Sequence, residues 1–197
     1  MVRALFIIDV QNVFTEGGAL GVEGGEAVAA GVSALLAEHR AAYDLVFASR
    51  VWHDADNDNG GHFATDENPD FVDTWPVHCV AGTFGAEYHD ELTTRSIDFH
   101  IRKGQGRPAY SIFEGTAEEG GTVVELLDAH GITEIDIAGL ATDYCVRASA
   151  LDALHHGRDV RVITDLVAGV APESSREALA EMSRAGADLV LAAQIEG

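Results

Sequence analysis

The sequence predicts an α/β protein: a mostly parallel six-stranded sheet with helices on both faces, in a three-layer α/β/α arrangement. Three observations carry that expectation. Short runs rich in Val, Ile, Leu and Phe are continuous rather than alternating, the pattern of strands buried on both faces. Stretches with helical periodicity separate most of these runs, as crossovers between parallel strands require. Glycine stands where several of the helical stretches stop.

In chain order, strands are expected at Arg3–Asp9, Leu45–Trp52, Ile97–Lys103, Glu134–Gly139, Val160–Asp165 and Leu189–Ala192. Glu26–Ala42, rich in Ala and Leu with apolar residues at i, i+3 and i+4, is expected to form the first helix. Thr122–His130 is amphipathic and stops at Gly131; Asp143–His156 stops in the same way at Gly157. Pro172 opens the last helix, which runs to about Ala185 before Gly186. The stretch from Trp52 to Ser96 has no periodicity and is rich in His, Asp, Asn, Gly, Pro and Trp. Irregular chain of that length inside a compact domain is usually a functional loop. The whole chain, 1–197, thus reads as one domain with a long functional loop region at about 52–96.

An apolar fraction of 47% fits a compact soluble protein. The net charge of −21 excludes nucleic acid and anionic membrane surfaces as partners, because both demand basic surface. It reads first as a solvated acidic face and, in a sharper version, as adaptation to high salt. No apolar run approaches the ~20 residues of a membrane span, and no signal peptide is evident at the start, so the cytosol is the expected compartment. The two cysteines, Cys79 and Cys145, make no disulfide framework. A small molecule is the expected partner, and self-association into a homo-oligomer is left open.

Ligands of open α/β sheets bind outside the carboxyl ends of the strands. Those ends supply a short list: Asp9 after the first strand, Trp52 and His53 after the second, Lys103 after the third. The fourth leads through Gly-Leu-Ala-Thr-Asp-Tyr to Cys145 in the first turn of a helix. With Thr142 or Asp143 as N-cap, the helix end and a nearby ammonium should lower the thiol pKa. A lone Cys is ordinarily a small buried hydrophobe; the strand-to-helix junction favours a nucleophile here. Lys103 is the sole lysine against eleven arginines. That suggests a task for a compact point charge rather than a rigid fork. Asp9, on the same edge, suits a general acid/base. Cys79, in the long loop beside His78, reads as structural.

His53, His62 and His78 fall in the long loop and raise the possibility of a metal site, although their spacing matches no zinc-finger pattern. His155 and His156 near a helix end read as dipole or solvent partners. Gly104-Gln-Gly106-Arg-Pro-Ala109 fits G-x-G-x-x-A, but it does not follow the first strand and Pro108 opens no convincing helix, so a dinucleotide site is rejected.

Taken together, the residues resemble the nicotinamidase/pyrazinamidase branch of the isochorismatase-like hydrolases over nearly the whole chain. The matching pieces are Ile-Ile-Asp-Val-Gln-Asn-Val-Phe at 7–14, Gly-Gly-Ala-Leu at 17–20 and Trp-Pro-Val-His-Cys-Val-Ala-Gly-Thr at 75–83. Lys103-Gly, Tyr-Ser-Ile-Phe-Glu-Gly at 110–115, Gly-Leu-Ala-Thr-Asp-Tyr-Cys-Val at 139–146 and Val-Ile-Thr-Asp at 162–165 continue the series. The resemblance implies a triad of Asp9, Lys103 and Cys145 that hydrolyses a carboxamide through a thioester. It implies an oxyanion site near Ala141 and Cys145, next to a cis peptide between Leu140 and Ala141. Phe14, Trp75 and Tyr110 match positions enclosing a pyridine ring, with core packing as the other reading of Phe14. His53, His62 and His78 match a site for a divalent metal (zinc, iron or manganese), but Val51 stands where an Asp ligand is expected. Loss of that carboxylate should weaken metal binding; Asp56 or Asp58 is a candidate substitute.

The resemblance implies conversion of nicotinamide, and of pyrazinamide, to the acid and ammonia. The alternatives are a metal-independent hydrolase of another small amide and a nicotinamide-binding protein with little turnover. A vinyl ether hydrolase of the isochorismate type would leave Cys145 without a role. Thermal unfolding from low to molar salt checks the acidic surface: adaptation to high salt raises the midpoint, and a flat midpoint sets that reading aside.

Overall fold

The computed structural model describes residues 2–65 and 68–195, so two positions of the long loop, 66 and 67, lie outside the description. Seven strands form one sheet: β1 (Arg3–Ile8), β2 (Leu45–Val51), β3 (Phe99–Lys103), β4 (Thr116–Ala117), β5 (Glu134–Leu140), β6 (Asp159–Ala168) and β7 (Asp188–Val190). Their order is β4-β3-β2-β1-β5-β6-β7. All neighbours are parallel except β4, which pairs antiparallel with Ile101 and Arg102 of β3. The six-stranded expectation is therefore corrected to seven, because β4 has two residues and leaves no readable apolar run.

β1 is central, and both its faces are buried. Phe6 and Ile8 point into a core shared with α2 (Val123–Ala129), α3 (Arg147–His155) and α4 (Pro172–Ala185). Leu5 and Ile7 point into a second core against α1 (Gly25–His39). This two-sided burial explains the continuous apolar runs. The chain winds outward from β1 through β2 and β3, then returns to build β5, β6 and β7 on the other side. The β1/β5 junction is the switch point where a crevice opens.

Several boundaries move. The first helix is α-helical only to His39 and tightens into a 3₁₀ turn over Arg40–Ala42. β3 begins at Phe99 rather than Ile97, and β6 continues past Asp165 to Ala168 across a bulge opposite Ile137 and Gly139. β7 ends at Val190, with Ala192 in a 3₁₀ turn. The helix expected over Asp143–His156 starts as a π-helical turn, Thr142–Val146, before α3 proper.

The long stretch after β2 is irregular but pinned. Isolated bridges join His53 to Val80, Phe63 to Trp75 and Gln11 to Tyr88. The fully buried Gln11 amide donates to the carbonyls of Val51 (3.0 Å) and Ala86 (2.8 Å) and accepts from the Val51 N–H (2.9 Å). Among the described residues no helix is long and apolar enough to cross a membrane.

At the switch point β5 approaches β1 so closely that a Cβ on Gly139 would lie 2.1 Å from the Ile8 carbonyl oxygen, and Gly139 has φ +120°. Gly139→Ala is expected to destabilise the fold by about 3 kcal/mol or more, read from denaturant unfolding.

Candidate active site

Asp9, Lys103 and Cys145 meet in the crevice. Lys103 ends β3, two strands from Asp9, which is about 9–10 Å at ordinary strand spacing. A long unbranched side chain spans that gap across β2. Its ammonium lies 2.8 Å from Asp9 Oδ2, and both residues are fully buried. An ammonium carries three protons, and three acceptors surround it: Asp9, the Tyr110 carbonyl and the Cys145 sulfur. Burial works against the lysine's charge, but Asp9 and Cys145 outweigh it and raise its pKa.

Cys145 is 8% exposed and lines the pocket floor. The expected lowering of its thiol pKa is corrected. Burial pushes the thiol up and the Asp9 carboxylate adds to that, while Lys103 pulls the other way without prevailing. The resting group is a thiol hydrogen-bonded to Asp9. The capping expectation also fails. Ala141 occupies the N-cap with no side-chain bond, and the Ala141 carbonyl accepts from the N–H groups of Tyr144 and Val146, on either side of Cys145 (both 3.1 Å). Asp143 instead caps α4 from outside, accepting from the N–H groups of Val170 (3.0 Å) and Ala171 (3.2 Å) and from Ser174 Oγ (2.6 Å). The Leu140–Ala141 peptide is cis, and both residues line the pocket.

The pocket above the sulfur is tight, a cavity of about 60 Å³. Phe14, Trp75 and Tyr110, expected there, all line it. Trp75 Nε1 donates to the Tyr110 hydroxyl at 3.2 Å, and the Phe14 ring meets His78 edge-on at 6.2 Å. Tyr144, not anticipated, stacks on Tyr110 at 6.2 Å and meets Trp75 edge-on at 5.4 Å. Val170, also not anticipated, closes the wall on the α4 side. Tyr144 was within reach of sequence reasoning, since it precedes Cys145.

His53, His62 and His78 converge beside the pocket, with one ring nitrogen from each lying within 4.8 Å of the others. His53 Nδ1 is taken by the Gly104 carbonyl (2.6 Å) and His78 Nδ1 by the Pro76 carbonyl (2.8 Å), which fixes both rings. His53 Nε2 and His62 Nδ1 are buried without a hydrogen-bond partner. Burial lowers the pKa of all three, that of His62 and His78 to about 4, so the group is a set of neutral donors suited to a divalent ion. Among the described residues no carboxylate joins it. Val51 packs against Val13, Cys79 and Phe14, and Asp56 and Asp58 are exposed in the loop. Gly104 and Gly106, from the rejected dinucleotide pattern, form the turn that buttresses His53 and bonds Asn59 Oδ1 (3.1 Å).

The lowered histidines have a stability consequence. The unfolded chain protonates His62 and His78 near pH 6.5 and the folded chain near 4, so stability falls as pH drops through that window. In chelator-treated protein the thermal midpoint is expected to decline from about pH 6.5 to about 4. The slope should be reduced in His62→Asn/His78→Asn.

The isochorismatase domain model matches residues 3–194. The nicotinamidase/pyrazinamidase of Mycobacterium tuberculosis is 45% identical over 188 residues, covering 95% of this chain and 98% of that protein. The crystal structure of the Pyrococcus horikoshii pyrazinamidase in complex with zinc superposes with a TM-score of 0.82 at 36% identity, covering 97% and 99% of the two chains. A structure from L. infantum in complex with nicotinate gives 0.82 at 32% identity, covering 98% and 93%. This chain belongs to the isochorismatase-domain family.

Proposed function

We propose that the protein is a nicotinamidase that hydrolyses nicotinamide, and pyrazinamide, to the carboxylic acid and ammonia, as a single domain whose long loop at about 52–96 contributes Trp75 and three histidines to the site. The observation that carries this reading is a buried thiol joined to a carboxylate–ammonium pair at the floor of an aromatic pocket.

In the proposed reaction Asp9 accepts the Cys145 proton as the sulfur attacks the carboxamide carbon, so no free thiolate is needed at rest. The N–H groups of Ala141 and Cys145 hold the oxyanion; the π-helical winding supports this, because the Ala141 carbonyl takes the amides flanking Cys145. Asp9 passes its proton to the leaving nitrogen and ammonia departs. It then takes a proton from water as hydroxide adds to the thioester, and returns it to the sulfur when the acid is released. Lys103 pairs with Asp9 and offsets negative charge at the sulfur. Phe14, Trp75, Tyr110 and Tyr144 hold the ring and exclude water.

His53, His62 and His78 would hold a divalent ion, with zinc the first candidate for three imidazole donors. Bound there, the ion would supply a Lewis-acid anchor for the substrate ring. With Val51 in place of a carboxylate the donor set is neutral, and affinity for the ion should be lower than in a site with a carboxylate ligand. That donor set is the specific ground for the second reading, a small amide hydrolysed without metal.

Ammonia release from nicotinamide, pyrazinamide and aliphatic amides, with and without chelator, separates the two readings. Wild type is expected to turn over nicotinamide with a KM that rises on chelation, and Cys145→Ala to lose at least ~10³-fold in kcat. Nicotinamide bound equally by both proteins without turnover would replace the hydrolase with a binding protein.

A further inference from the structure

Ile7 and Ile8 face opposite sides of the sheet, and alternation would send the Asp9 side chain to the face of Ile7, away from the site. Lys103 lies on the other face: its register partner is Val51, and Ile101, two residues earlier, packs in the core of Ile8. Asp9 reaches that face because its backbone is left-handed, φ +47°, a conformation uncommon outside glycine. One side chain holds it there. Ser49 of β2, fully buried and in register with Ile101, donates from Oγ to Asp9 Oδ1 at 2.7 Å and accepts from the Asp9 N–H at 3.3 Å. A single hydroxyl therefore grips both the backbone and one carboxylate oxygen, which leaves Oδ2 for Lys103 and Cys145.

We propose that Ser49 is a positioning residue that turns Asp9 toward Cys145 and holds it there, so that proton transfer from the thiol depends on a hydroxyl that touches neither substrate nor sulfur. The proposal rests on the reading of Asp9 as the proton acceptor. The charged or titratable groups around Asp9 are Lys103 from β3 and Cys145 from the π-helical turn, with Cys79 and His53 further off. Removing the Ser49 hydroxyl releases both the Asp9 N–H and Oδ1, so the carboxylate is no longer held toward the sulfur.

The test compares wild type, Ser49→Ala, Ser49→Thr, Asp9→Asn and Cys145→Ala. It measures nicotinamide kinetics across pH and the rate of Cys145 alkylation by iodoacetamide, with Cys145→Ala giving the Cys79 background. Ser49→Ala is expected to lower kcat and the alkylation rate about 10- to 100-fold, the effect of one buried hydrogen bond to a charged group. KM should stay within about twofold, because Ser49 does not line the pocket. Ser49→Thr keeps the hydroxyl and should restore both rates to within about threefold. If Ser49→Ala does not fold, Ser49→Cys, near-isosteric with a weaker donor, must fall between wild type and Asp9→Asn. An unchanged kcat and alkylation rate in Ser49→Ala, with Asp9→Asn slow, overturns the Ser49 assignment alone. Unchanged alkylation in Asp9→Asn overturns the acid–base reading beneath it.

Discussion

A fully buried lysine ammonium at the carboxyl edge of the sheet is the constraint from which the rest of the site follows. A charge in that position is tolerated only if it is paired. Lys103 is paired with the Asp9 carboxylate and flanked by the Tyr110 carbonyl and the Cys145 sulfur. Each partner comes from a different segment: β1, the turn after β3 and the turn after β5. The ion pair therefore fixes where three chain segments end, and it brings the aromatic ring of Tyr110 to the pocket along with its carbonyl. An arginine would not fit, since its planar fork presents five donors where three converging acceptors stand.

Two further polar devices keep the surrounding loops in register with that pair. Gln11 stitches the β1 exit to the end of β2 and to Ala86, so the long loop is anchored within two residues of Asp9. Asp143 ties the π-helical turn that carries Cys145 to the start of α4, where Val170 forms part of the pocket wall. The turn that carries Cys145 and the pocket wall at Val170 are thereby joined through one side chain. The three histidines stand on the other side, two of them, His53 and His78, fixed by the carbonyls of Gly104 and Pro76 rather than by carboxylates.

Much of this was legible in the residues. Asp9, Lys103 and Cys145 each terminate or follow an apolar run, and strand ends in such sheets share one edge. Helix α2 announced itself through Thr122 and Glu125, which form a capping box, and α4 through Pro172 and Gly186. The two-residue β4 left no periodicity to read. The protonation of Cys145 was misjudged because a helix end and a lysine were weighed without the burial that opposes them. Asp143 looked like a local cap and proved to serve another helix, a tertiary fact with no local signature. Ser49 did leave a trace, a lone hydroxyl in the apolar run Leu45–Val51, whose meaning depends on the left-handed turn at Asp9.

The burial of Lys103 also sets how the protein meets reagents. It is the sole lysine, and it is wholly inaccessible. Acylating reagents aimed at lysine amines therefore find no accessible target on this chain. The amine that holds the crevice together would be left untouched by a fluorophore or a solid support attached through that chemistry.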